Sequence, residues 1–184
     1  MKASKNQEEI KISPATPEDA EGIQKVFYHT WIATYPNKEF NITVEDLEYR
    51  HRNMFIEENL EERRKMIREI DDSKKRFLVA KIDDKIVGVC NLHKDAEKNK
   101  MQAIYVLPEY QGRGIGKKFW QEALKYFDTS KDTYVDVVVY NTNAIKFYEN
   151  LGFVDTGKRF SEERFRQRNG ALMPEMEMVL KAKL

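Results

Sequence analysis

An apolar run, Ile104-Tyr105-Val106-Leu107, stops at Pro108 and gives way to Gln111-Gly112-Arg113-Gly114-Ile115-Gly116, after which Lys117-Lys118-Phe119-Trp120 opens an amphipathic stretch. That order reads as a buried strand, a glycine-rich turn with basic residues beside it, and a helix. Gly112, Gly114 and Gly116 fall at alternate positions where the helix begins. Glycines there let the backbone approach a ligand closely. The first N–H groups of a helix also lack intrahelical partners, so the turn is a candidate anion site, for phosphate above all.

Which anion is decided by spacing and position. A dinucleotide fingerprint wants its glycine turn after the first strand, with a two-residue gap and an acid about 20 residues on. This turn lies past mid-chain and has no such gap. A Walker loop is excluded as well, because no Lys-Ser or Lys-Thr follows the glycines. Arg113, Lys117 and Lys118 stand by as phosphate partners.

The 184 residues suit a single α/β domain over 1–184, with length enough for a real core. Lys plus Arg (32) nearly balances Asp plus Glu (31), which argues against a nucleic-acid partner. The single cysteine, Cys90, excludes an internal disulfide framework and fits a reducing, cytoplasmic compartment. Residues 1–9 are polar and show no secretory signal, and no apolar run approaches the ~18 residues of a membrane span, so no membrane partner is expected. His29, His51 and His93 are scattered, and no metal site is expected.

Taken in order, Ile10-Lys11-Ile12 reads as a short first strand. Thr16 then caps a helix with Pro17 in first position, whose apolar stripe is Ala20, Ile23, Val26, Phe27, Trp31 and Thr34. Thr43 opens a helical region or pair of helices running to Ile70, with Leu60, Ile67 and Ile70 inward and Glu61 spaced to pair with Lys65. Residues 77–82 and 86–92 form a hairpin around Asp83-Asp84-Lys85, and 101–107 adds a third strand. The helix after the glycine turn presents Ile115, Phe119, Trp120, Ala123, Leu124 and Phe127 on one face. Residues 134–140 read as a central strand buried on both faces, then come a helix from Asn143 to Leu151 closed by Gly152 and two final strands. Strands and helices in this order make a mixed sheet with helices packed on it.

A second constellation, Asn141-Thr142-Asn143-Ala144-Ile145-Lys146-Phe147-Tyr148-Glu149-Asn150-Leu151-Gly152-Phe153, completes the pattern. Together with Val106-Leu107-Pro108-Glu109-Tyr110-Gln111-Gly112-Arg113-Gly114-Ile115-Gly116 it resembles the two signature motifs of the GNAT superfamily of acyl-CoA-dependent N-acyltransferases. The resemblance implies a mixed sheet of six or seven strands splayed between the fourth and fifth. It implies acetyl-CoA as donor and a primary amine as acceptor, on a small molecule (polyamine, amino acid or amine drug) or a peptide. Transfer would be direct, without an acyl-enzyme, in a monomer or homodimer. Protein N-terminal or lysine acetylation, or coenzyme A sensing without catalysis, are the alternatives.

Carried over by residue, the resemblance gives the backbone of Ile104, Tyr105 and Val106 to the pantetheine arm. The amides of Gln111, Gly112, Arg113, Gly114, Ile115, Gly116 and Lys117 go to the pyrophosphate. Asn141 would hydrogen-bond near the thioester, Asn143 being the rival for the helix cap. Tyr148 would protonate the departing thiolate. Trp31 and Tyr35 would line the acceptor pocket. Gln102 stands where many members carry a glutamate base, and an amide cannot take the proton. That leaves water or a carboxylate from the last strands, Glu175 or Glu177, with Glu177 reading as an exposed strand residue. Arg164, Arg166 and Arg168 beside Glu162 and Glu163 read as a solvated face.

Overall fold

A computed structural model describes residues 9–182; the polar start read as lacking a signal therefore lies almost wholly outside the described residues. The first strand is β1 (Lys11–Pro14), an edge strand where Pro14 is tolerated for want of a ladder partner on its free side. Residues Pro17–Asp19 make one 3-10 turn into α1 (Ala20–Thr34). The Asp19 carboxylate reaches back to accept from the Thr16 N–H at 2.9 Å and also takes the Lys81 ammonium at 2.6 Å. The charged stretch splits into α2 (Val44–His51), capped by Thr43, and α3 (Glu57–Arg68). Glu61 pairs with Arg64 and Arg68 rather than with the expected Lys65, whose partner is Glu69 at 4.0 Å.

The meander follows as β2 (Lys75–Ile82), β3 (Lys85–Lys94) and β4 (Asn99–Val106). Asp83 and Asp84 join the first two with φ of 46° and 63°. This is the left-handed turn that matches strand twist, and short polar Asp adopts it more readily than most residues. After a 3-10 turn at Pro108–Tyr110 come α4 (Ile115–Tyr126), β5 (Thr133–Val138), α5 (Thr142–Asn150), β6 (Val154–Phe160) and β7 (Glu175–Leu180). Leu124 lies exposed instead of on the buried face of α4, where Tyr126 is buried in its place. The strand read as 134–140 ends at Val138 and alternates, with Tyr134 and Asp136 half-buried. Asn141, not Asn143, caps α5: its Oδ1 accepts from the Ala144 N–H at 3.2 Å.

The seven strands run β1-β2-β3-β4-β5-β7-β6. Most of the sheet is antiparallel, but β4 and β5 are parallel and pair only at Asn99↔Thr133, Lys100↔Tyr134 and Met101↔Val135. Buried Asn99 locks that end, donating to the Asp128 carbonyl at 2.8 Å and accepting from the Asp128 N–H at 3.1 Å. Beyond Met101 the register with β3 slips so that Gln102 is the extra residue of a bulge; β4 stays paired with β3 while β4 and β5 diverge. A large core joins Ile23, Val79, Val89, Met101 and Phe119. A second, smaller cluster of Trp31, Tyr35, Ile42, Leu47, Val138 and Met173 props the far side of the gap.

Candidate active site

One cleft of about 900 Å³ runs from the glycine turn through the β4/β5 gap to the aromatic cluster behind it. At one end Gly112 and Gly114 hold φ of 74° and 83°, and no atom lies within 4 Å of where a side chain would begin. Their backbone is thus open to a ligand. The Lys118 N–H closes the first turn of α4 on the Gly114 carbonyl at 3.0 Å, so helix geometry turns the preceding N–H groups outward. That set suits a pyrophosphate. Gly116 serves packing: a methyl there would meet the Phe147 ring at 3.1 Å.

Not every expected group joins this end. The Gln111 N–H is used by the Pro108 carbonyl at 3.2 Å, and its side chain donates to the Val106 carbonyl at 3.0 Å. The Arg113 guanidinium lies over the Tyr110 ring and donates to the Glu109 carbonyl at 3.1 Å. Gly112, Gly114, Ile115, Gly116 and Lys117 line the cleft, whereas the side chains of Arg113 and Lys118 do not.

The gap itself is edged by β4. The Leu107 N–H donates to the Val87 carbonyl at 2.9 Å, so by antiparallel alternation Tyr105 also directs its amide groups to β3. Ile104 and Val106 consequently turn theirs to the open side. Tyr105 contributes its ring instead of its backbone, packing edge-on to Phe27 at 5.3 Å. On the opposite side Asn141 spends its Oδ1 on the helix cap, leaving Nδ2 toward the cleft it lines.

Tyr148 is buried at the floor, edge-on to Phe147 and Phe153, and its hydroxyl makes no hydrogen bond among the described residues. Burial, with Cys90 and Tyr105 adding, pushes its phenol far above the usual tyrosine value. It therefore holds its proton. Cys90 is fully buried and its thiol is raised by burial too, which removes a thiolate nucleophile.

The far end brings together residues distant in sequence. Trp31 packs on Tyr35 at 5.0 Å, His51 at 5.1 Å and Phe165 at 5.5 Å, and its Nε1 is buried without a hydrogen-bond partner. The Tyr35 hydroxyl donates to that of Tyr105 at 3.4 Å, while the Tyr140 hydroxyl donates to the Tyr35 carbonyl at 2.9 Å. His29 is exposed beside Tyr28, away from the cleft. His51 takes the packing place: burial lowers its pKa, and Nδ1 is held by the Leu47 carbonyl at 2.7 Å.

Polar groups line this end as well. Lys100 of β4 bridges to Asp136 of β5 across the fork, and Glu162 pairs with Arg164. Arg164 is solvated as the sequence suggests, yet it and the half-buried Glu162 also line the mouth of the cleft; Glu163 and Arg166 pair on the open surface at 2.6 Å. Glu175 is 7% exposed, faces the cleft, and keeps Oε2 without a partner. Glu177 lies outside, held by Lys158 at 3.3 Å. Sequence reasoning missed Lys100 and Asp136, whose only signal is a charge of each sign in otherwise apolar strands.

Comparison with known proteins agrees with this architecture. A spermidine N(1)-acetyltransferase of Vibrio cholerae is 31% identical over 101 residues, half of this chain and 56% of that protein, so the match spans little more than half the relative's length. An N-acetyltransferase (PaiA) of Thermoplasma acidophilum, solved with coenzyme A, superposes with a TM-score of 0.67 at 23% identity over 94% of this chain and 99% of that one. The ribosomal-protein-S18-alanine N-acetyltransferase of Escherichia coli gives 0.62 at 15% identity, covering 96% of each chain. At those identities the two structures speak for the fold. The acetyltransferase (GNAT) domain family itself matches residues 34–180, most of the sequence, and the chain belongs to the GNAT acetyltransferase family.

Proposed function

We propose that this protein transfers the acetyl group of acetyl-CoA directly to a primary amine of a small cationic molecule, a polyamine among the candidates. The observation that carries the reading is a single cleft joining an open glycine turn to a wall bearing Glu162 and Glu175. The first end offers backbone donors to a pyrophosphate, and the second offers carboxylates to an ammonium. The relative named for spermidine supports the same class of acceptor.

In this mechanism the pyrophosphate sits on the N–H groups at the start of α4, and the pantetheine arm lies along the open edge of β4 against Ile104 and Val106. The amine nitrogen attacks the thioester carbonyl. The oxyanion that develops is met by the Val106 N–H, which points into the gap. As the C–S bond breaks, Tyr148 gives its phenolic proton to the sulfur. A raised pKa makes Tyr148 a weak acid, yet the same apolar floor makes a bare thiolate costly, so the transfer is matched in environment. Cys90 is too buried and too weakly acidic for an acyl-enzyme. A reducing cytoplasm suits this lone free thiol.

The test is release of free thiol from acetyl-CoA across a panel of polyamines, amino acids, amine drugs and N-terminal peptides. The expected result is turnover with polyamines above the rest. Preference for peptides would move the reading to protein acetylation. Tight coenzyme A binding with no turnover on any amine would leave a sensor.

A further inference from the structure

An alkyl amine is protonated at neutral pH, and the cleft needs a group to take that proton before nitrogen can attack. Gln102, on the β4 bulge, has no basic atom to offer. The remaining candidates are few. Glu162 is held by Arg164, and Asp136 is held by Lys100. Tyr148 keeps its proton, and His51 packs on Trp31 outside the cleft lining.

We propose that Glu175 is the general base that removes the proton from the acceptor ammonium. This rests on the amine acetylation proposed above. Glu175 is the first residue of β7, paired with Val138 of β5 and with Phe160 of β6. It therefore sits at the mouth of the fork. It shares a sheet face with Val138, which belongs to the Trp31–Tyr35 cluster, so its carboxylate looks toward the acceptor end. Oε2 is buried without a hydrogen-bond partner. A buried orphan of this kind is costly unless a ligand satisfies it, and an ammonium donor would.

The charged and titratable groups around it explain why it is basic enough. Glu162 and Arg164 come from the loop after β6, Asp136 from β5, Lys100 from β4; Tyr35 and Tyr105 face it from the C-terminal cap of α1 and from β4. Both cations are already engaged by other carboxylates. Burial first, then the charges of Glu162 and Asp136, raise Glu175 to about 7, with Arg164 and Lys100 opposing. Such a carboxyl is ionised just above neutrality yet can hold a proton, as a base for ammonium must.

The transfer balances. The ammonium gives one proton to Glu175 and becomes a free amine. Its nitrogen forms the bond to the carbonyl carbon, and the C–S bond breaks as Tyr148 protonates the sulfur. The amide nitrogen, still carrying an extra proton, returns one to the tyrosinate. Glu175 then releases its proton to solvent, so one proton leaves per amide formed.

The experiment compares kcat/KM against pH for wild type and Glu175→Gln, using the panel amine that gives the fastest thiol release, with coenzyme A affinity by calorimetry as the check on folding. Wild type is expected to lose activity as pH falls through about 7. Glu175→Gln is expected to lose that limb and fall by about 10²-fold above it, with coenzyme A affinity little changed. Glu175→Asp, which keeps a carboxylate one carbon back, should keep the limb at a reduced rate. A limb that persists in Glu175→Gln, or one lost equally in Glu175→Asp, overturns the assignment. If wild type turns over no amine, the acetylation reading itself falls; if it turns over and Glu175→Gln matches it, only the base does.

Discussion

The two ends of the cleft are built in different ways. The donor end is local: Gly112 to Lys117 lie next to one another in the chain, and their backbone does the work through two left-handed glycines and a helix start. The acceptor end is assembled: Trp31 comes from α1 and Tyr35 from its C-terminal cap, Lys100 from β4, Asp136 from β5, Glu162 and Arg164 from the loop after β6, and Glu175 from β7. Backbone recognition of a constant anion needs no special side chains. An acceptor site has to desolvate charge, and it shows the marks of that: Trp31 Nε1, Asp136 Oδ1 and Glu175 Oε2 all lie buried without partners. On the proposed reading, the first end fixes the donor and the second sets the chemistry on the amine.

The harshest way to separate them is Gly114→Glu. It places a non-glycine residue at φ 83° and a carboxylate against the pyrophosphate. Coenzyme A affinity should fall by more than about 10³-fold, of which backbone strain supplies only a part. Gly114→Ala isolates that part with a smaller loss. Unchanged affinity by calorimetry in Gly114→Glu would move the phosphate elsewhere.

Next in size is Tyr148→Phe, which removes one hydroxyl and leaves the ring in its Phe147–Phe153 packing. Turnover should drop by about 10²-fold while coenzyme A affinity stays within about twofold. Parallel loss of both would make Tyr148 a packing residue for the donor end.

These two positions were legible in the sequence because the information is contiguous there. Gly112, Gly114, Asn141 and Tyr148 sit in two unbroken motifs, and strand, turn and helix are forced by local chemistry. Even so, the sequence left open or misassigned details that depend on the third dimension. It left the α5 cap between Asn141 and Asn143, and strand exit geometry gives it to Asn141. It gave the backbone of Ile104, Tyr105 and Val106 alike to the ligand, where register with β3 leaves only alternate residues open. Glu162 and Arg164 read as solvent charges like their neighbours Glu163 and Arg166, and Arg164 is one; that the pair also borders the cleft depends on the return of β7 beside β5. Glu175 could be named as a carboxylate, but its burial and missing partner are tertiary facts.

Folding stability offers a third break between the ends. Burial carries the Glu175 carboxyl from the ordinary glutamate range up to about 7 on folding, so the folded state binds its proton more tightly than the unfolded chain does. Its contribution is full below the unfolded value and is lost as pH rises through the folded one. Glu175→Gln should therefore be more stable than wild type at pH 8, by about 1–3 kcal/mol, and nearly equal to it at pH 4. Denaturant midpoints at the two pH values measure this. A gain at both would point to side-chain fit, and a loss at pH 8 would show that Glu175 has a partner when charged.

The smallest effect belongs to Glu162→Gln, and it reads the acceptor end alone. Glu162 is the largest charge holding Glu175 up, and its own partner is Arg164. Removing it deletes one negative charge and releases a positive one, and both changes favour ionised Glu175. The acidic limb of kcat/KM should then move to lower pH. Because Glu162 is partly solvated, the accompanying rise in KM for a cationic amine should be only about three- to fivefold, shrinking with added salt. Acetyl-CoA affinity should not move. A limb that stays in place while KM rises would make Glu162 a contact for the amine and nothing more. A limb that shifts while KM holds would make it a tuner of Glu175 that the amine never touches.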